Sequence, residues 1–490
     1  MRLAGFQVEN FKSIGPSGCL IRIDRMVILI GRNNAGKSTI LDAYGALASG
    51  GKALNLCHFH RQDPRVPVTI TAYFDRVSTE EETRIGQGWC FEHPEFGACV
   101  ALRLVWRTPG EPALRQSFDP DADDFVAEGL QDVHATLLRR IPQPVRVRAA
   151  APTNTMQAAL RALLKEHAGQ VPGADAGRML ATLLGAREAA MSGATQTARD
   201  IEPPRILLID DPEACLHPST ARGACAALHA FALQQRDWQV IATTHSPGFI
   251  DLTRDHATII RIDLRPGKSR HAVSTDRLAF SEKERQRLRM VRACNPSVNE
   301  LLFHDDVVLV EGASVQIALL HVARSMGRQL HVVNCLGKAN LPLFARLLNH
   351  FQLPYTVIHD ADTRFAKGRR GYHRNALWAT NEAIRLAVGS AGFGRIHTQF
   401  PHFEGEYFGE SSNAGKVDRV LRALDDPDSS DFQRIVEAFA PIVGGDGSGQ
   451  TTTRAAFNRK LDTYLTQSVS PGDPLWYQPD LPSVDDDSAN

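Results

Sequence analysis

The chain has 490 residues, 43% hydrophobic and 22% charged, which is the make-up of a folded protein of two or three domains and excludes a disordered one. Its 55 basic and 55 acidic residues cancel, so any nucleic-acid contact must come from local patches rather than net charge. Eight scattered cysteines without a C-x-x-C pair exclude a disulfide framework, no apolar run is long enough to span a bilayer, and MRLAGFQVENFKSIG does not read as a signal peptide, so a cytoplasmic, multidomain α/β protein is expected.

The first motif is GRNNAGKS, from Gly31 to Ser38, preceded by the apolar strand Val27 to Ile30 and followed by an apolar-periodic helix. This is the setting of a phosphate-binding loop, in which backbone N–H groups turn inward around the phosphates. Nucleotide contacts are expected from Asn33, Asn34, Gly36, Lys37, Ser38 and Thr39, with Lys37 on the β and γ oxygens and Ser38 on Mg²⁺. PVTITAYFD and CVALRLVW then read as strands of an antiparallel lobe. Cys57, His58 and His60 lack a second ligand pair at zinc spacing, so they read as a loop. From about residue 119 to 201 the composition shifts to Ala, Leu and Arg, and MQAALRALLKEH predicts a helical subdomain.

RILLIDDPEACLHP is a β-branched strand ending on Asp210, followed by Asp211, and WQVIATTHSPGF is another, ending beside His245. Strand-end acids are how this kind of sheet holds Mg²⁺ and polarises water. With FQVENFKSIG, the phosphate loop and these two runs, the first part of the chain resembles the ABC-type ATPase heads of the recombination and SMC group. The resemblance implies that Asp210 is the Walker B metal acid, that Asp211 stands at the catalytic-acid position, and that His245 is the switch histidine. It also implies paired heads with ATP between them. That family usually has Glu at position 211, so the shorter Asp predicts slow hydrolysis. The signature loop has only degenerate candidates, GADAGRML (Gly173 to Leu180) and MSGATQ (Met191 to Gln196).

After TIIRID, the stretch RPGKSRHAVSTDR reads as a polar connector, and SEKERQRLRMVRA as a basic helix capped by Ser281. From Val307 the pattern restarts as strand (VVLVEG), helix, strand (LHVVNCLG), helix, strand (YTVIHDADTRF). This is a compact parallel sheet, with Glu311 ending its first strand and Asp360 and Asp362 its third. Three converging carboxylates call for a hard divalent cation, Mg²⁺ or Mn²⁺, and such a site suits phosphodiester cleavage.

This second unit resembles the Toprim domain, and an ABC-type head ahead of a Toprim domain resembles the OLD (overcoming lysogenisation defect) nucleases, including the nuclease subunit of Gabija-type phage defence. The resemblance covers roughly residues 1 to 425. It implies Glu311, Asp360 and Asp362 as metal acids, a further acid at Glu404 or Glu406, and Lys416 as the late lysine that stabilises phosphate charge. OLD nucleases tend to carry a second acid one turn after the first, where this chain has Val315. The basic stretch KGRRGYHR after Asp362 reads as a glycine-flexed loop whose Lys367, Arg369, Arg370 and Arg374 could hold DNA phosphates without sequence preference.

The expected division is a head at 1–285, a linker helix at 286–304, a Toprim domain at 305–425, C-terminal helices at 426–468 and an acidic tail at 469–490, disordered except where Trp476 and Tyr477 dock. The leading reading is an ATP-regulated, metal-dependent DNA endonuclease that pairs through its heads; a role in phage defence, with a partner protein, follows from the resemblance alone. Two rivals are a non-catalytic ATP-dependent DNA sensor, favoured by Val315 and Asp211, and a topoisomerase-like strand transferase. The second needs a nucleophilic Tyr on a separate DNA-binding module, and no segment reads as one.

Overall fold

The computed structural model describes residues 1–148 and 204–477, except 87, 128–130, 216–217, 235–237, 253–256, 265–269, 276–277, 279, 370, 410–414 and 447–448. The expected helix MQAALRALLKEH, both signature-loop candidates and Arg370 lie outside the described residues. The chain divides into two units, Met1–Ala279 and Phe280–Asn490. Among the described residues no helix is long and apolar enough to cross a membrane.

The first unit contains two sheets. Seven antiparallel strands, including Arg2–Glu9, Val68–Asp75 and Gly97–Trp106, make the lobe expected from PVTITAYFD and CVALRLVW. The second sheet has six strands in the order Arg270–Ser274, Ala257–Leu264, Met26–Ile30, Trp238–Thr243, Arg205–Asp210 and Gln143–Arg148. All are parallel except Arg270–Ser274. Met26–Ile30 is apolar at every position because it is covered on both faces, as a central parallel strand must be. One core joins Phe6, Ile70 and Leu102 of the lobe to Val27, Leu29 and Leu208 of the parallel sheet around the helix Lys37–Ala48.

Two expectations need correction here. Gln143–Arg148 falls inside the predicted helical subdomain yet is an edge strand of the parallel sheet. Arg270–Ser274 falls inside the predicted connector yet pairs antiparallel with Ala257–Leu264. Both are short edge strands, QPVRVR and RHAVS, in which charged or polar residues are mixed with apolar ones without a long apolar run. Such a pattern matches a solvated segment as well as a half-covered strand.

In the second unit, Ser281 caps the helix Glu282–Cys294 through a capping box with Glu284, as its sequence predicts. A 3₁₀ segment, Pro296–Phe303, leads into a four-stranded parallel sheet in the order His331–Asn334, Val307–Val310, Tyr355–Asp360, Gly394–Gln399. The helix Ala313–Ser325 buries Val315, Leu319 and Val322 against the sheet and against Ile435, Phe439 and Val443 of the helix Ser430–Gly444. The C-terminal helices therefore share the core of the sheet instead of following it. The described part of the tail is docked as well: Trp476 is buried among Trp378, Tyr464 and Phe400, while Tyr477 is exposed.

Candidate functional sites

In the first unit the phosphate loop links the central strand to the helix Lys37–Ala48. Gly31 has φ of +145°, and a Cβ there would lie 2.2 Å from the Ile262 carbonyl oxygen, so only glycine fits. Asn34 takes a left-handed φ of 63°, which Asn tolerates better than most residues, and Gly36 caps the helix at φ 107°. The buried Lys37 folds back over the loop, its Nζ donating to the carbonyls of Gly31 (2.9 Å) and Arg32 (3.1 Å). Burial lowers its pKa, while Asp211, Asp210 and Glu213 pull it back up.

Ser38 Oγ donates to Asp210 Oδ1 at 3.0 Å, so the residues expected to share Mg²⁺ meet. Thr243 Oγ1 donates to the same oxygen at 2.7 Å and accepts from the Asp211 N–H at 3.0 Å. Asp211 sits at a left-handed φ of 48°, and its Oδ1 lies 3.9 Å from His245 Nε2. Asn33 and Asn34 are exposed on the loop, and Thr39 Oγ1 lies 2.9 Å from Ser13 Oγ. Two groups escape a reading of the sequence. Arg146 pairs with Asp42 and brings Nη2 to 3.7 Å from Asp210 Oδ2. Glu213 Oε1 accepts from the His245 N–H at 2.6 Å, so a longer carboxylate meets the same histidine that the short Asp211 faces. The P-E that follows the two aspartates was the available signal for it.

Hydrogen bonds to charged groups contribute about 1.5–3 kcal/mol each. Lys37→Ala is therefore expected to weaken ATP binding roughly ten- to a hundredfold. A fluorescent ATP analogue titrated into both proteins would check this, and equal affinities would remove Lys37 from the site.

In the second unit, Glu311 follows Val307–Val310 and Asp360 ends the adjacent strand Tyr355–Asp360. The Asp360 N–H donates to Glu311 Oε2 at 3.4 Å, so the two strand ends touch. Asp360 Oδ1 accepts from the Phe403 N–H at 2.9 Å, which ties it to the start of the helix Phe403–Phe408. Burial, then the charges of Glu311, Asp362 and Glu404, push Asp360 well above the ordinary carboxylate range. Burial also raises Glu311, with Asp362 adding to the effect and Lys338 opposing it.

Asp362 takes a left-handed φ of 63° and is held by Lys338, whose Nζ lies 2.7 Å from Asp362 Oδ2 and 3.1 Å from the Ala361 carbonyl oxygen. Lys338 is 1% exposed. Nothing in GKAN marked it as part of the site. Glu404 lies 3.1 Å from Lys416 Nζ, and His402 Nδ1 is 3.4 Å from the same oxygen. Burial pushes Glu404 up, but His402 and Lys416 outweigh it and hold the carboxyl at about 2.

Glu406 is turned elsewhere. Its Oε1 pairs with Lys460 at 2.9 Å and its Oε2 accepts from the Phe400 N–H at 2.6 Å. It is withdrawn from the set of candidate ligands, and Glu404 takes that place. Val315, where an acid was expected from the resemblance, is 5% exposed in the apolar core. KGRRGYHR is not a loop but a two-stranded hairpin, Phe365–Gly368 with Gly371–Arg374, on which Lys367, Arg369 and Arg374 are exposed. The Cys57 stretch, expected as a loop, forms two short 3₁₀ turns, Leu56–His58 and His60–Gln62, with His60 Nδ1 2.8 Å from the Lys12 carbonyl oxygen.

No three of these carboxylates bring a ligand oxygen within 4.8 Å of one another, because Asp362 leans on Lys338 and Glu404 on Lys416. The donor chemistry nevertheless fits a hard divalent cation. It offers oxygen ligands only, and burial of Glu311 and Asp360 beside other carboxylates disfavours their charged forms, a cost that a bound cation would offset.

A family profile described as the overcoming lysogenization defect protein-like, TOPRIM domain matches residues 302–362, which span Glu311, Asp360 and Asp362. This part of the second unit is a Toprim domain similar to those of OLD-like proteins. An AAA domain profile, of the AbiEii toxin, Type IV TA system group, matches residues 178–251, which include Asp210, Asp211 and His245. An OLD nuclease of Thermus scotoductus is 29% identical over 90% of this chain and 99% of its own length. Among solved structures, an SMC head bound to the C-winged helix domain of ScpA aligns at a TM-score of 0.34 and 12% identity, covering 58% of this chain and 99% of that one. The SMC head domain from Thermotoga maritima aligns at 0.30 and 16%, covering 56% and 98%. In the Toprim domain the profile match ends at Asp362, so Lys338 lies within it, while Glu404 and Lys416 lie beyond it.

Proposed function

We propose that this chain is an ATP-binding, divalent-metal-dependent DNA endonuclease, with the Toprim site as its cutting centre and the ATPase head as its regulator. The observation that carries this reading is the contact of Glu311 with Asp360 at neighbouring parallel strand ends, with Asp362 two residues on. Glu311, Asp360, Asp362 and Glu404 would hold Mg²⁺ or Mn²⁺, which supplies activated water and charge relief on the scissile phosphate. Lys416, placed by Glu404, would meet the charge that develops on that phosphate. The hairpin's Lys367, Arg369 and Arg374 would grip the backbone next to the site, and such contacts read no sequence.

In the head, Lys37, Ser38 and Asp210 would bind ATP–Mg²⁺, with Asp211 and His245 beside the γ-phosphate. Pairing of two heads across ATP rests on the sequence's resemblance to ABC-type ATPase heads, and a part in phage defence with a partner protein on the likeness to OLD nucleases. The purified chain is expected to nick or linearise plasmid DNA in Mg²⁺ or Mn²⁺ and to stop when EDTA is added. Intact plasmid in every metal, with DNA still bound in gel-shift, would instead favour the sensor reading that Val315 raises.

A further inference from the structure

One group of side chains lies outside both sites. Glu300, in the 3₁₀ segment Pro296–Phe303, His304 just after it, and His331, the first residue of the strand His331–Asn334, each bring a ligand atom within 4.8 Å of the other two. It is the one group of this kind among the described residues. The strand pairing places it. Val307, the first residue of its strand, lies opposite His331, whereas Glu311 follows that strand's far end. The group therefore stands at the amino edge of the sheet, about 13 Å of strand away from the Toprim acids.

Hydrogen bonding orients the ligands. His331 Nε2 lies 3.2 Å from the Ser297 carbonyl oxygen, which can only accept, so Nε2 carries the proton. That leaves the lone pair of Nδ1 facing Glu300 Oε2 at 3.9 Å. A lone pair opposed to a carboxylate is repulsive unless a proton or a metal cation stands between them. A ring N–H donated to a backbone carbonyl is also how metal-bound histidines are held in register. The His304 ring stacks on that of His331 with centroids 4.2 Å apart and planes at 5°, a pose in which the two rings' lone pairs do not converge; His304 is exposed, and a turn about its side-chain bonds brings its nitrogen toward an ion held by His331 Nδ1 and Glu300. Backbone contacts fix the frame, since the Asn295 side chain donates to the Asn334 carbonyl at 3.0 Å and the His331 N–H to the Asp306 carbonyl at 3.3 Å.

We propose that Glu300, His304 and His331 form a zinc site that clamps the segment Pro296–Phe303 to the sheet. Two imidazoles and one carboxylate suit Zn²⁺ far better than Mg²⁺, and three protein ligands leave the fourth tetrahedral position to water. The site is separate from the all-oxygen Toprim cluster in position and in ligand type.

The test uses the full chain, stripped with EDTA and returned to millimolar Mg²⁺ so that the oxygen sites are occupied. Zn²⁺ is titrated in against a chromophoric chelator, and Co²⁺ in parallel for its tetrahedral absorption bands. The wild type is expected to take one Zn²⁺ per chain. His304→Ala, at an exposed position, and Glu300→Gln are each expected to bind at least about tenfold more weakly and to lose the cobalt bands. Circular dichroism establishes that both variants are folded. Cys57→Ala is expected to bind as the wild type does. Equal affinity in wild type, His304→Ala and Glu300→Gln, no Zn²⁺ binding at all, or loss of binding in Cys57→Ala would each overturn the proposal.

Discussion

Asp360→Asn is expected to abolish metal-dependent DNA cleavage while making the metal-free protein more stable at neutral pH. Both effects come from the same placement. Asp360 touches Glu311 and is close to Asp362 and Glu404, and burial with these charges raises its pKa well above the ordinary value. A carboxyl whose folded pKa is raised binds its proton more tightly in the folded state. Its contribution to stability is therefore complete below the unfolded value, near 4, and is lost as pH rises toward the folded one. At neutral pH the wild type carries that loss, and a neutral amide at 360 does not. Denaturant midpoints in EDTA should rise for the variant at pH 8 and differ little at pH 4, and added Mg²⁺ should close the gap by stabilising the wild type. Cleavage should fall by at least roughly 10²–10³-fold, the range for removing one preorganised charged group at a reacting phosphate. Undiminished cleavage, or a midpoint that falls at pH 8, would mean that Asp360 is not a ligand.

The second large effect is expected at Lys338. Its ammonium is enclosed and pairs with Asp362 at 2.7 Å. Removing one partner of a buried pair costs about 3–5 kcal/mol because the other charge is left uncompensated. Here that charge would join two neighbouring carboxylates on a residue already at φ 63°. The Ala361 carbonyl would lose less, since Asn381 Nδ2 also donates to it at 2.9 Å. Lys338→Met should therefore lower the unfolding free energy by an amount at or near that range, and Lys338→Met with Asp362→Asn should recover most of it. A double mutant no more stable than Lys338→Met would show that the lysine acts through packing and not through Asp362.

The strand-end acids were legible because a run such as VVLV or YTVI reads as a buried parallel strand, and the residue that ends it must lie at the carboxyl edge. The phosphate loop was legible for the same reason, with its glycines at fixed spacing. Partners supplied by distant turns were not. Lys338 precedes Asp362 by 24 residues in a stretch that reads as an ordinary loop, and only the fold brings its Nζ there. The choice between Glu404 and Glu406 depends on Lys460, 54 residues beyond Glu406, which takes Glu406 for itself. The edge strands Gln143–Arg148 and Arg270–Ser274 failed because a half-solvated strand has no apolar run to declare it. KGRRGYHR hid a hairpin because its two strands are four residues each and mostly polar.

The order of strands in the head also bears on how the chain emerges from a ribosome. Met26–Ile30 is apolar throughout, and its neighbours in the sheet are Trp238–Thr243 and Ala257–Leu264. Met26 pairs with Val240, 214 residues later (240 − 26). At about 5–20 residues per second, that strand waits roughly 10–40 s before its first partner exists. The four parallel strands of the Toprim domain, by contrast, all fall between Val307 and Gln399. The half that is made first thus holds its central strand unpaired for most of its own synthesis, and chaperone demand during synthesis should fall on the nucleotide-binding head.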